Sequence, residues 1–264
     1  FPGWTLPGVV SCGADQVLLK SPGVRPAREI VIAGSGLFLF AAAYECIRHG
    51  VAVRGVLESS SLFRQLPLLR ELPFQPAKLL EGARFLARLA GAGVPIRYRR
   101  RIREVRGDGR LEEIVTVRVD AGGAAVPGSE KTMEARCLAI SNGFTPNLEL
   151  AQLAACQLDH RDELGGWIVR VNDEMETTQA NLFAGGELTG VAGALKSACE
   201  GHIAALSILS RLGRVKPGAF ESRLARLQRE RRRHLRFGRG FNSLFPIPPA
   251  AWEEIPDQAL LCRC

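Results

Sequence analysis

IVIAGSGLFLFAA, Ile30 to Ala42, reads as a buried strand, a glycine turn and the opening of a helix. In a dinucleotide-binding fold the first glycine of such a turn permits the sharp bend and the second lets the backbone approach a pyrophosphate, while the third allows close helix–strand packing. Gly34 and Gly36 fill the first two places, and Leu39 stands where the third belongs. At the end of the next strand, 24 positions after Gly34, Glu58 is placed to accept a hydrogen bond from a ribose hydroxyl. An acid there favours NAD over NADP, because it repels a phosphate. The bulk of Leu39 counts against productive nicotinamide binding, so the turn holds NAD(P), holds an adenine nucleotide structurally, or keeps only the shape.

Around this turn strands and helices alternate. EIVIAGS is followed by helix LFLFAAAYECIRHG, strand AVRGVLES, a proline-interrupted segment, helix AKLLEGARFLARLAGAG and short strand PIRYRR. This alternation predicts the α/β class, with helices packed on a parallel sheet. The stretch from RIREVRGDG to ARCLAIS then holds three strands parted by Gly-Asp-Gly and Gly-Gly turns, a small antiparallel meander. Beyond it, CLAISNGFTPN reads as a strand and a glycine loop, and GGWIVRVNDEMETTQANLFAGGE as a strand, a turn and another strand. GALKSACEGHIAALSILSRLG reads as a helix ending at Gly213. The apolar NLFAGGE running into a glycine turn and a small-residue helix suggests a strand end that faces a ligand.

With 264 residues, 46% of them apolar, the chain has material for one large or two modest cores. Its +8 charge, from 35 basic and 27 acidic residues, is concentrated in RYRRRIREVR (Arg97 to Arg106) and RLARLQRERRRHLRFGR (Arg223 to Arg239). The second run carries Leu224, Leu227 and Leu235 at near-helical spacing, with Phe237 as its one aromatic. That pattern predicts a helix with one apolar stripe, a solvated surface or a subunit contact, and no nucleic-acid partner. Arg99 to Arg101 are expected in solvent where a strand leaves the domain. Seven cysteines, mostly lone and in apolar surroundings, argue for a reducing cytoplasm over a secreted disulfide framework. Cys12, Cys46, Cys137, Cys156 and Cys199 are expected as small buried hydrophobes. No apolar run reaches the roughly 18 residues that a membrane span needs. No two of the four histidines stand three or four residues apart, and His202 is expected as a hydrogen-bonded structural residue. The opening FPGWTLPGVV reads as an extended connection, so the sequence is expected to be an internal piece of a longer chain.

AISNGFTPN and the later NLFAGGELTGVAGALKSACEGHIAA resemble the pyridine nucleotide-disulfide oxidoreductase-like flavoproteins. In that superfamily an NAD(P) domain is inserted into an FAD domain, and the chain returns through a G-x-x-P-N loop matched here by Gly143, Pro146 and Asn147. The later motif ordinarily reads A-G-D. Its carboxylate binds the ribityl chain of FAD, and the following backbone N–H groups and helix N-terminus approach the diphosphate and flavin ring. Ala184, Gly185, Gly186 and Glu187 match it, with Glu for the usual Asp, and Gly193 and Ala194 lead into the helix. FPGWTLPGVVSCGADQVLLKS, GGWIVRVNDEMETT, AGGELTGVAGALKSACEGHIAAL and the terminal LCRC narrow the resemblance to the A-type subunits of opine oxidases, hydrogen cyanide synthase and dye-linked proline dehydrogenases.

The resemblance implies two interleaved Rossmann-like FAD/NAD(P)-binding domains of three-layer (ββα) build. Residues 1–27 would connect from a missing FAD-domain half, 28–135 form the inserted NAD(P)-binding-like domain, 136–213 return to the FAD domain, and 214–264 be a basic helix and linker into a truncated [2Fe-2S] module. It also implies an FAD-dependent oxidoreductase subunit whose flavin-containing catalytic partner oxidises a small amine or amino acid. Cys262 and Cys264, in LLCRC, are two of the four thiolates that a [2Fe-2S] cluster in the complete protein needs; by spacing alone they read equally as free thiols. The separate FAD fingerprint of the family is absent, so this piece alone should bind FAD poorly, and no C-x-x-C pair is present for thiol–disulfide chemistry. The alternatives are an NAD(P)H-dependent flavoprotein reductase and a non-catalytic scaffold or regulatory subunit.

Overall fold

The apolar run EIVIAG becomes β2 (Glu29–Gly34), the middle strand of a five-stranded sheet in which every pairing is parallel. The structure, a computed structural model, describes residues 1–21, 24–65 and 76–245, which form two compact units, Phe1–Gly143 and the residues from Phe144 onward. In the first unit β1 (Val9–Ser11), α1 (Cys12–Lys20), β2, α2 (Phe38–Arg48), β3 (Ala52–Glu58), the short α3 (Leu62–Gln65), α4 (Pro76–Gly91) and β4 (Ile96–Tyr98) follow in chain order. The antiparallel strands β5 (Arg100–Arg106), β6 (Glu113–Arg118) and β7 (Lys131–Glu134) come next. Then β8 (Leu138–Ser141) returns to the parallel sheet, whose order is β1-β8-β2-β3-β4.

Strand β2 is covered on both faces, which is why it shows no polar alternation. Ile30 and Ile32 enter a core shared with Leu39, Ala43 and Cys46 of α2 and Leu89 of α4. Val31 and Ala33 enter the opposite core, with Ile102, Val105 and Ile114 of the antiparallel sheet. Helices, parallel sheet and antiparallel sheet therefore stack as three layers, and the α/β class read from the sequence is the observed one. Each fully buried aliphatic side chain here contributes about 1.5–3 kcal/mol.

Hydrogen bonding carries the sheet past the alternating run at both ends. Strand β1, within residues 1–27, pairs with β8, and β8 pairs with β2. Neither strand adjoins the run in sequence, so the sheet register alone brings them in. At the corner between β4 and β5, Arg99 is exposed as expected, whereas Arg100 departs from the expectation. Arg99 takes a φ of 55° and donates through Nε to the Val119 carbonyl at 3.0 Å. Arg100 is buried, on the strand face of Ile102, and donates to Thr116 Oγ1 at 2.9 Å.

The second unit holds α5 (Glu149–Leu153), a hairpin of β9 (Leu158–Arg161) and β10 (Gly166–Val169), and helices α6 (Ala194–Arg211) and α7 (Pro217–Leu244). Cys199, Ile203 and Leu206 of α6 pack against Leu227 of α7, and Leu235 joins Leu164 and Ile168. The leucine stripe of the arginine-rich helix is thus its buried seam. NLFAGGE departs from the predicted strand: Phe183 makes one isolated bridge, to Glu176, and Gly186 turns the chain at φ 109°. A strand persists only where neighbours pair with it, and among the described residues that bridge is the pairing on offer. Cys12, Cys46, Cys137, Cys156 and Cys199 are all buried and free. Among the described residues no helix is long and apolar enough to cross a membrane.

Candidate functional site

In the first unit the glycine turn is shaped by the sheet itself. A Cβ at Gly34 would lie 1.8 Å from the carbonyl oxygen of Ser141 on β8, and its φ of 137° favours glycine, so packing alone demands the first glycine. The Gly36 N–H donates to Glu58 Oε2 at 2.9 Å, and the Ser60 N–H donates to Oε1 at 2.8 Å. Glu58 is fully buried. Burial pushes its carboxyl above the usual range, while the hydrogen bonds from Ser60 and Gly36 pull it the other way. Gly34, Gly36 and Glu58 are therefore brought together, but both carboxylate oxygens are engaged by backbone amides of the loop. Leu39, at the third glycine's place, is buried in the core under α2. The Gly36 N–H, one of the groups through which such a turn binds a pyrophosphate, is engaged here by the Glu58 carboxylate.

In the second unit Gly185, Gly186 and Glu187 lead through a 3-10 turn (Glu187–Thr189) to Gly193, and α6 begins at Ala194. A Cβ on Gly185 would come 3.2 Å from that of Glu200, so the loop lies against the helix. Gly193 has a φ of 87°, and a Cβ there would meet nothing within 4 Å, so the approach to the helix start is open. Glu187 is exposed; its Oε1 accepts from the Gly193 N–H at 2.9 Å and from Ser197 Oγ at 3.3 Å. The carboxylate thus sits at the positive end of an 18-residue helix whose first-turn N–H groups have no intrahelical acceptor. Gly186, Glu187, Gly193 and Ala194 converge in one place. Gly143 closes the first unit, at a φ of 101°.

Beneath this loop lies a buried cluster that the sequence reading missed. Lys196 Nζ donates to the carbonyls of Gly186 (2.6 Å) and Gly190 (2.8 Å), to Thr189 Oγ1 (2.7 Å) and to Glu200 Oε2 (2.8 Å). Glu200 Oε2 also accepts from the Gly186 N–H at 2.9 Å and from the Thr189 hydroxyl at 2.6 Å. Its Oε1 accepts from Arg231 Nε of α7 at 2.7 Å. Lys196 and Glu200 are both fully buried. Burial lowers the Lys196 ammonium from its ordinary range, and the charge of Glu200 opposes that shift. The pair grips both ends of the 186–190 turn. A signal existed: Lys196 and Glu200 stand one turn apart, and Ile203 and Ser207 continue their stripe, which is the buried face of α6.

His202, expected to be hydrogen-bonded, is exposed on α6. Cys262 and Cys264 lie outside the described residues. Among the described residues no group of three or more His, Cys, Asp or Glu side chains could hold a metal ion.

Residues 14–205 match the family described as pyridine nucleotide-disulphide oxidoreductase. The A-type opine oxidase subunit of Rhizobium meliloti is 29% identical over 266 residues, which take in 100% of this chain and 49% of that protein. Hydrogen cyanide synthase subunit HcnB of Pseudomonas aeruginosa is 32% identical over 269 residues, 100% of this chain and 57% of that one. The chain thus spans about half the length of the curated relatives it matches. Among solved structures, T. acidophilum thioredoxin reductase superposes with a TM-score of 0.52 at 19% identity, over 76% of this chain and 56% of its own. L-proline dehydrogenase from P. horikoshii superposes with a TM-score of 0.56 at 15% identity, over 86% and 35%. At these identities the likeness is one of fold.

Proposed function

Because the chain belongs to the pyridine nucleotide-disulphide oxidoreductase family, we propose that it is part of an FAD-dependent oxidoreductase subunit, and that its second unit supplies one side of the flavin site. The observation that carries this reading is the convergence of Gly186, exposed Glu187 and Gly193 at the open start of α6. These residues fit the group: the first-turn amides and the helix dipole suit a diphosphate, and the Glu187 carboxylate suits a sugar hydroxyl. Flavin, when bound, would accept a pair of electrons from the reduced substrate, which is thereby oxidised. The chain's own part is to bind and orient. Lys196 and Glu200 hold the 186–190 turn at its two ends, and Arg231 ties α7 to the same carboxylate. The substrate would be a small amine or amino acid oxidised together with a flavin-containing partner subunit. That the relatives are named as subunits, one of them of an oxidase, supports the part of the reading that places this chain in a multi-subunit enzyme.

In this proposal residues 136–213 belong to an FAD domain completed by a preceding segment, the 28–135 domain is inserted into it, and Cys262 and Cys264 ligate a [2Fe-2S] cluster in the complete protein. The test is an absorption spectrum, with flavin release and iron and sulfide assay, on the complete reading frame purified without oxygen. Bound FAD that is lost in Glu187→Ala and Gly193→Val supports the proposal; a complete protein without flavin overturns it.

One observation favours a second reading for the first unit. The engagement of Glu58 by Gly36 and Ser60 suits a turn that keeps the nucleotide-fold shape as scaffold and holds no nicotinamide. Under it Glu58→Ala leaves NADH-driven flavin reduction unchanged, whereas a tenfold or greater loss of that rate, with flavin still bound, would restore NAD(P) to this site.

A further inference from the structure

Between the β9–β10 hairpin and α7, within the second unit, lies a cleft of about 200 Å³ walled by four arginines and one aspartate. Two of the arginines are already matched. Arg170 donates to Asp159 Oδ1 through Nε at 3.0 Å and Nη2 at 2.5 Å, and Arg231 donates to Glu200 at 2.7 Å. The other two, Arg161 and Arg239, are exposed and form no ion pair among the described residues. Arg161 is close enough for its charge to act on Asp159, but that carboxylate is hydrogen-bonded to Arg170. The cleft therefore keeps an excess of positive charge from two guanidiniums carried by separate elements, the end of β9 and the last turns of α7.

Its remaining wall is mostly aliphatic, with Thr189 as its one polar residue. Leu164, Ile168 and Leu235, which pack together as a small core, present their edges to the cleft. The volume is below the roughly 300 Å³ at which pockets for drug-sized ligands begin. A guanidinium fork matches a carboxylate in geometry and charge, and an aliphatic wall rewards a hydrocarbon body over a bare inorganic ion. We infer that this cleft is a binding site for a small aliphatic carboxylate, held at its head by Arg161 and Arg239 and along its body by Leu164, Ile168 and Leu235. It shares Thr189 and Arg231 with the network beneath the Glu187 and Gly193 turn but does not rest on flavin binding.

Calorimetric titration of the full chain at constant ionic strength, with hexanoate, acetate and inorganic phosphate as probes, tests this. Hexanoate should bind saturably and more tightly than acetate. Arg161→Gln and Arg239→Gln should each weaken it about tenfold or more, the loss expected for one charge-assisted hydrogen bond. Arg232→Gln, which removes the same charge from an exposed position on α7 outside the cleft, should leave it unchanged. All three are surface substitutions, and an unchanged thermal midpoint confirms that each variant is folded. The inference is overturned by absent or non-saturating hexanoate binding, by hexanoate binding no better than acetate, by phosphate binding alone, or by a loss in Arg232→Gln as large as in Arg161→Gln.

Discussion

Replacing Lys196 by methionine removes a buried ammonium while nearly keeping its volume. Four acceptors surround Nζ: Gly186 O, Gly190 O, Thr189 Oγ1 and Glu200 Oε2, at 2.6 to 2.8 Å. An ammonium has three protons, so every one is used and one acceptor shares. In Lys196→Met two carbonyls and a hydroxyl lose their charged donor, and Glu200 keeps Arg231 as its remaining cation. Removing one partner of a buried pair costs about 3–5 kcal/mol. Arg231 lowers the residual charge penalty, and the abandoned turn carbonyls raise the cost, so the expected loss stays at about 3–4 kcal/mol. Against a usual total of about 5–15 kcal/mol that is a large fraction. Glu200→Gln alone and the double variant complete a cycle, and because the two residues share Thr189 and Gly186, the double variant should cost less than the sum by at least about 1 kcal/mol. Urea unfolding by circular dichroism measures the cycle, and hydrogen exchange at the Gly186 amide, which donates to Glu200, reads the turn locally. A loss below about 1 kcal/mol in Lys196→Met, or strict additivity, would refute the view that this pair holds the 186–190 turn.

Gly34→Ala forces a Cβ to 1.8 Å from the Ser141 carbonyl at a φ of 137°, so the first unit should lose more than about 3 kcal/mol in the same denaturation assay. Glu176 is held at about 2, down from 4.5, by hydrogen bonding from Arg211. The native state therefore binds fewer protons there than the unfolded chain, stability from this group is present above pH 4.5 and lost as pH falls toward 2, and Glu176→Gln should flatten that part of the stability curve. Burial raises the thiol pKa of Cys12 to about 12 and that of Cys137 to about 11, so peptide mapping after iodoacetamide at pH 8 should find both unmodified in the folded chain and alkylated in urea.

Much of the first unit was legible in sequence because its signals are local. EIVIAG, the glycine turn and the helix after it are adjacent along the chain, as are the turns of the meander, so short-range pattern was enough. The leucines of α7 were readable for the same reason. Arg100 was not, since its burial depends on Thr116 across the meander, and a run of arginines carries no mark of which one turns inward. NLFAGGE looked like a strand because composition reports what a segment would accept, and pairing requires a neighbour. Glu58 stood at the expected place, but that it turns its carboxylate onto the amides of Gly36 and Ser60 is a matter of side-chain conformation after the sheet has closed.

The strand–turn–helix alternation, the α/β class and the two glycine loops are written in local pattern, because hydrophobic period and glycine placement act over a few residues. The tertiary structure alone decided which groups meet. Lys196 and Glu200 are one helical turn apart, yet their partner Arg231 lies 31 residues past Glu200 on another helix. Arg161 and Arg239, far apart in sequence, share a cleft in the second unit. Charges become partners through the packing of helices and hairpin, and no spacing along the chain encodes that meeting.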